Sequence, residues 1–324
     1  MSPATVALAG DTMLGRGVAD RLRAGAAVES LVEESVAEAM RQADLTVVNL
    51  ECCISDRGAR WPDPLKPFFF RAPPAATGLL GYLGVDCVSL ANNHALDYGY
   101  EALADTRRLL ASAGIATIGA GKDLAEARRP VVLEAGGLRV GLIGITDHPP
   151  DYAAAPDQPG VALVDLSHGV PSWLTRLVRD TRERCDVLIV TPHWGPNMVP
   201  EPLVRIRVAA RELLAAGASL VAGHSAHVFH GVSDGVLFDL GDFLDDYAVD
   251  PRLRNDLGLL WLVELDAGGP IRLEALPLAL DYCFTRVANA EESTWITRRL
   301  QRASAALGDC RITRDGERLV ISWG

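Results

Sequence analysis

The sequence predicts an α/β fold built around a largely parallel sheet. Short apolar runs alternate with amphipathic stretches along most of the chain. That strand–helix alternation places helices outside a parallel sheet. After Leu240 the pattern changes to two apolar runs joined by a Gly-Gly-Pro turn, the mark of an antiparallel hairpin.

The first strand is Val6–Ala9, a continuous apolar run of the kind a strand buried on both faces requires. Val28–Gln42 carries alanine, valine and leucine at helical spacing and reads as a helix, followed by the strand Leu45–Leu50. Cys87–Ala91 is the next strand and Gly99–Ala113 its helix. Val131–Leu133 and Arg139–Ile145 form a pair of strands. The helix Pro171–Arg184, strand Val187–Thr191, helix Pro202–Ala216 and strands Leu220–Ala222 and Val236–Leu240 continue the alternation. Leu259–Leu265 and Ile271–Leu278 make the hairpin; a helix over Glu291–Ala306 and a strand over Arg318–Ser322 close the chain. The 324 residues read as one domain, with residues 250–324 completing a second sheet. Two proline-rich loops, 61–74 and 148–160, read as lids or substrate-contacting insertions.

Composition narrows the partners. A net charge of −11 argues against nucleic acid and against anionic membrane. The six cysteines (52, 53, 87, 185, 283, 310) show no CxxC or zinc-finger spacing, and Cys87 and Cys185 lie in apolar surroundings as buried thiols. A reducing compartment fits that usage. With neither a signal-peptide pattern nor a membrane anchor in the sequence, the cytoplasm is the expected location.

Polar groups gather where the strands end. The first strand runs into Gly10-Asp11-Thr12-Met13-Leu14-Gly15-Arg16, the second into Asn49-Leu50-Glu51, and the third into Asn92-Asn93-His94. Val187–Thr191 leads to His193-Trp194-Gly195, and Leu220–Ala222 to Gly223-His224-Ser225-Ala226-His227. Parallel strands present these ends at one edge, where open α/β sheets bind ligands. Asp11, Glu51, Asn93, His193, His224 and His227 can therefore meet as metal ligands, and the mix of carboxylate, amide and imidazole suits Zn²⁺, Mn²⁺ or Fe. Taken singly, each has a plainer reading. Asp11 serves equally as a helix cap, Asn92 and Asn93 as turn formers, and a lone histidine as a satisfied core residue. Four of seven histidines falling just after strands is what favours a site.

The ordered motifs GDxMLGR, NLE, ANNHxxDYG, HWG and GHxxH resemble the capsule-synthesis CapA proteins, also called poly-γ-glutamate biosynthesis proteins, which are similar in turn to calcineurin-like metallophosphoesterases. The resemblance spans Asp11 to Phe243 and includes Phe70-Arg71-Ala72-Pro73 and Leu240-Gly241-Asp242-Phe243. It implies a four-layer α/β/β/α sandwich with one or two divalent ions. By position, Asp11, Glu51, Asn93, His193, His224 and His227 resemble the metal ligands and His94 the leaving-group acid. Asp97, three residues on, is placed to orient His94. Arg16 and Arg71 are expected to grip a substrate phosphate or carboxylate. Three departures stand out: Met13 replaces the phosphoesterase histidine, the closing pair is spaced GHxxH, and Asp242 stands where the family has asparagine, offering the site another carboxylate. The implied activity is metal-dependent hydrolysis, or transfer, at a γ-glutamyl amide or a phosphoester. The alternatives are a non-catalytic accessory subunit of a poly-γ-glutamate synthase and a general phosphodiesterase or nucleotidase. Expected partners are a small-molecule or γ-glutamyl substrate, without nucleic acid; a homo-oligomer is left open.

Overall fold

A computed structural model describes residues 3–308 and 310–323. Its centre is two sheets packed face to face. In the larger, Ala4–Thr12 lies between Leu45–Leu50, with which it runs parallel, and Leu257–Asp266, with which it runs antiparallel. The parallel side continues through Cys87–Ser89 to Ala116–Ile118. The antiparallel side continues through Gly269–Asp281 to Arg318–Trp323 and Cys310–Asp315. The smaller sheet places Val187–His193 between Leu138–Thr146 and Leu220–Ala222, all parallel.

Burial defines the layers. Leu8 and Val47 of the first sheet and Leu142 and Ile189 of the second share one core between the sheets. The outer face of the first sheet packs on the helices Arg16–Arg23, Glu34–Arg41, Ala76–Tyr82 and Gly99–Ser112. The outer face of the second packs on Ser172–Arg182 and Val204–Ala216. This is a four-layer α/β/β/α sandwich. No helix among the described residues is long and apolar enough to cross a membrane.

Two expectations need correction. The strands after residue 250 do not complete a second sheet; they extend the sheet that begins with Ala4–Thr12, because Leu257–Asp266 pairs along its free edge from Ala4↔Leu265 to Leu8↔Trp261. The second sheet comes from the middle of the chain. The segment Val28–Gln42 is also not one helix. It is a single 3₁₀ turn, Val28–Ser30, followed by the α-helix Glu34–Arg41. Tertiary pairing interrupts it: Val32 bridges Thr285, and the Glu33 amide donates to Thr285 O at 2.8 Å, which holds the intervening backbone extended.

One glycine matters for the site. A Cβ on Gly10 would sit 1.9 Å from the Gly241 carbonyl oxygen, so only glycine lets the strand Asp242–Leu244 lie against Ala4–Thr12. That contact sets Asp11 directly opposite Asp242 in parallel register.

Candidate metal centre

The strand ends converge as their order predicts. Asp11, Glu51, His193 and His224 are each buried to 3% exposure or less, and His227 to 9%. Single donor atoms of Asp11, Glu51 and His193 lie within 4.8 Å of one another, and so do those of Asp11, His227 and Asp242. His193 and His224 come side by side because their backbones form a parallel bridge, with the His224 amide donating to Pro192 O at 2.9 Å. His224 Nδ1 is 3.2 Å from Asp11 Oδ1, and His227 Nδ1 is 3.5 Å from Asp11 Oδ2 and 2.8 Å from Asp242 Oδ1. His193 Nε2 is 3.5 Å from Glu51 Oε1.

The loop carrying the last two histidines is strained. Ser225 and His227 have φ of +110° and +59°, in the left-handed region that side-chain-bearing residues rarely occupy. Asp239 clamps it: one carboxylate oxygen accepts the Ala226 amide at 2.8 Å and the other the Gly241 amide at 2.9 Å.

Several buried donor atoms are left over. Glu51 Oε1, Asn93 Oδ1, His224 Nδ1 and Asp242 Oδ2 have no hydrogen-bond partner among the described residues. His224 Nδ1 is close to Asp11 but not aligned for a hydrogen bond to it, as two ligands of a shared ion would be. Orphaned buried polar atoms are costly, on the order of 1–3 kcal/mol each, more when charged. A divalent cation satisfies such a set, and carboxylate, amide and imidazole are the donors that Zn²⁺, Mn²⁺ and Fe²⁺ accept. The residues present therefore fit a metal.

The electrostatics divide the ligands: burial opposes protonation of His227, but the charges of Glu51 and Asp11 outweigh it and raise its pKa. Burial pushes the Glu51 carboxyl well above its usual range, and the negative charge of Asp11 adds to it. Burial does the same to Asp239 and Asp242, and takes Asp245 to about 6. Asp11 goes the other way: burial opposes its ionisation, but contact with His224 and the neighbouring imidazoles outweighs that and holds it ionised. Burial favours neutral His193, the form that binds a metal.

His94 stands beside this cluster, lining a cavity of about 320 Å³ with Arg16, Phe68, Phe70, His227 and Tyr247. Its Nδ1 is 2.7 Å from Asp97 Oδ2, and its ring stacks on Phe70 at 4.1 Å. Asp97 is fully buried and gathers more than His94. It accepts the Phe70 amide at 2.6 Å and the Tyr152 hydroxyl at 3.1 Å, and pairs with Lys66 Nζ at 3.0 Å. The proline-rich loop 61–74 is thus tied to the catalytic candidate through Lys66 and Phe70, and the loop 148–160 through Tyr152.

Arg16 and Arg71 part company. Arg16 lines the cavity, its guanidinium 5.0 Å from the Phe70 ring centroid and 5.3 Å from that of Tyr247, with Nε bonded to Asp246 at 2.9 Å. Arg71 does not reach the cavity, contrary to expectation. Its guanidinium lies 4.1 Å from the Tyr98 ring centroid, and Nη1 donates to Arg57 O at 3.3 Å. The short strand pairing Cys53↔Arg71 fixes it there.

Four contributors have no role assigned from the sequence. Asn49, within the second strand, donates to Asp11 Oδ1 at 2.7 Å and lies 3.3 Å from His193 Nδ1. Tyr247 donates to Glu51 Oε2 at 3.3 Å. Asp147 and His148 follow the strand Leu138–Thr146 at the same edge; their side chains meet at 2.5 Å, and the His148 ring lies 5.2 Å from that of His193. The signal for the last pair was present, since Arg139–Ile145 reads as a strand and Asp-His follows it.

Comparison with known proteins bears on the family and the fold. The chain is 32% identical over 296 residues to a Mycobacterium tuberculosis protein named as a polyglutamine synthesis accessory protein, covering 86% of this chain and 77% of that one. It is 26% identical over 275 residues to the PGA biosynthesis protein CapA of Bacillus subtilis, covering 83% and 70%. The fold matches the crystal structure of a phosphatase from Mycoplasma pneumoniae with a TM-score of 0.52 at 13% identity, over 86% of this chain and 94% of that one. Residues 5–247 match the family described as bacterial capsule synthesis protein PGA_cap, and to that family this chain belongs.

Proposed function

We propose that this protein is a metal-dependent hydrolase acting on a γ-glutamyl amide, with phosphoesters as the second substrate class. The observation that carries the proposal is the His94–Asp97 pair on the wall of a cavity that His227 also lines. Asp11, Glu51, Asn93, His193, His224 and His227 would hold the ions. Bound divalent metal supplies an acidified water and positive charge against the charge that develops on the substrate oxygen.

The chain's own residues do the rest. Asp97 Oδ2 accepts the proton on His94 Nδ1, which fixes the tautomer and leaves Nε2 toward the reacting group. Protonated His94 then delivers its proton to the departing nitrogen or oxygen. Burial lowers the basicity of His94 while the Asp97 charge opposes the shift, so the imidazolium is a ready proton donor. Arg16, clamped by Asp246 and faced by aromatic rings, offers one cation to a carboxylate of the substrate.

The accessory role is a second reading, favoured by the name of the Mycobacterium tuberculosis relative and by Met13. Chromogenic γ-glutamyl anilide and bis-aryl phosphate, assayed with Mn²⁺, Zn²⁺ or chelator, separate the readings. Metal-dependent turnover that His94→Ala reduces at least about a hundredfold supports catalysis. Absence of turnover on both substrates with metal bound would assign the accessory role.

A further inference from the structure

Met13 removes a nitrogen donor from the position beside Asp11 that the phosphoesterase resemblance assigns to histidine. The methionine is fully buried and its sulfur accepts the Gly15 amide at 3.0 Å, so it is engaged in holding the turn. A different strand fills the gap. The register Asp11↔Asp242 and the absence of a Cβ on Gly10 bring the Asp242 carboxylate to the same edge as Asp11. Asp242 is 1% exposed, and His227 Nδ1 bridges it to Asp11 at 2.8 and 3.5 Å. Its second oxygen, Oδ2, has no hydrogen-bond partner among the described residues. Asp245, three residues further on and just past that strand, is buried with an unpartnered Oδ2 as well.

Two carboxylates and one imidazole with donor atoms inside 4.8 Å match the composition of the Asp11–Glu51–His193 group. Divalent first-row ions accept both donor types. We propose that Asp242 rebuilds the metal position lost at Met13, completing a second site from Asp11, Asp242 and His227. The proposal rests on the metal-centre reading above and adds to it a ligand.

The test uses the full chain stripped with chelator, then titrated separately with Mn²⁺ and Zn²⁺, with bound metal counted by mass spectrometry and Mn²⁺ followed by electron paramagnetic resonance. Wild type is expected to hold two ions per chain. Asp242→Asn is expected to keep one and to bind the other Mn²⁺ at least about tenfold more weakly. Two Mn²⁺ bound by Asp242→Asn with wild-type affinity overturns the proposal while leaving the metal centre standing. Absence of metal from wild type overturns both. Met13→His supplies an independent measurement should Asp242→Asn not fold: where Asp242 already fills the position, an added imidazole is expected to change the affinity for the second Mn²⁺ by less than about threefold, and a gain of about tenfold or more overturns the proposal.

Discussion

Asp97→Asn is the sharpest probe of how the cavity wall is held. The aspartate is fully buried and receives four donors: His94 Nδ1, the Phe70 amide, the Tyr152 hydroxyl and Lys66 Nζ, at 2.7, 2.6, 3.1 and 3.0 Å. A carboxylate accepts all four; a carboxamide of the same shape offers one accepting oxygen and one donating NH₂. Two donors would therefore face a hydrogen atom. Each unsatisfied buried donor costs roughly 1–3 kcal/mol, and a buried cation that loses its partner roughly 3–5 kcal/mol. Lys66, with 11% of its side chain exposed, recovers part of that by reaching solvent. The expected loss is about 4 kcal/mol, a large share of the stability of a typical domain.

The same substitution has a kinetic signature. An asparagine NH₂ facing His94 Nδ1 turns that nitrogen into an acceptor and moves the ring proton to Nε2. In catalytic triads the equivalent change lowers kcat by about 10⁴-fold, and a loss on the order of 10³-fold or more is expected here. Urea unfolding gives the first number and hydrolysis of a γ-glutamyl anilide the second. Nitrogen-15 shifts of the His94 ring report the tautomer directly. A stability loss below about 1 kcal/mol, with His94 keeping its proton on Nδ1, would refute the account of Asp97 as the post on which both loops and the imidazole hang.

Other consequences can be checked alongside it. Chelation should lower the melting temperature, since an ion at a thousandfold its Kd stabilises the fold by about 4 kcal/mol; His193→Ala, which keeps the Asp11–Asp242–His227 position, should show a smaller drop on chelation than wild type. His230 is buried, its Nε2 2.9 Å from Val199 O, and burial takes its pKa from 6.5 to about 4. Because the unfolded chain binds that proton first, stability should rise by roughly 3 kcal/mol as pH increases from 4 to 6.5, and His230→Gln should flatten that part of the profile in urea melts. His148→Ala should leave metal content unchanged and reduce kcat/KM about ten- to a hundredfold, through loss of a side chain fixed beside His193; loss of metal would instead make His148 a ligand.

The sequence made the layers legible because parallel strands announce themselves as near-continuous apolar runs. Leu45–Leu50 and Leu220–Ala222 coincide with the strands observed. What periodicity does not encode is which edge a later hairpin joins. Leu257–Asp266 is as apolar as a strand of either sheet; backbone pairing with Ala4–Leu8 decides the matter, and that is a contact between residues some 250 positions apart. Glycine spacing carried a comparable hidden constraint, since Gly10 reads as a turn former until the Gly241 carbonyl is seen against it. Arg71 failed for a similar reason, as a two-residue strand pairing aims it at Tyr98.

At the site, strand ends were the right place to look, and the residues missed show where that rule stops. Asp147 and His148 obey it. Asn49 obeys it in part, standing next to last in its strand, whereas Tyr247 lies in the loop after Leu244 and does not. Yet Asn49 alone touches Asp11, His193 and, through its oxygen, the Asn92 amide at 3.0 Å, so it joins three strand ends that the sequence could only align. Its neutrality is the reason it serves. Asp11, Glu51, Asp239, Asp242 and Asp245 already bury five carboxyl groups in one neighbourhood, and another carboxyl group between Asp11 and His193 would raise the cost of assembling the centre before any cation arrived. An amide supplies one donor and one acceptor without adding to that charge. Asn49→Asp tests the point: it keeps the shape, replaces the donor facing Asp11 with a like charge, and should weaken both the fold in chelator and the retention of metal.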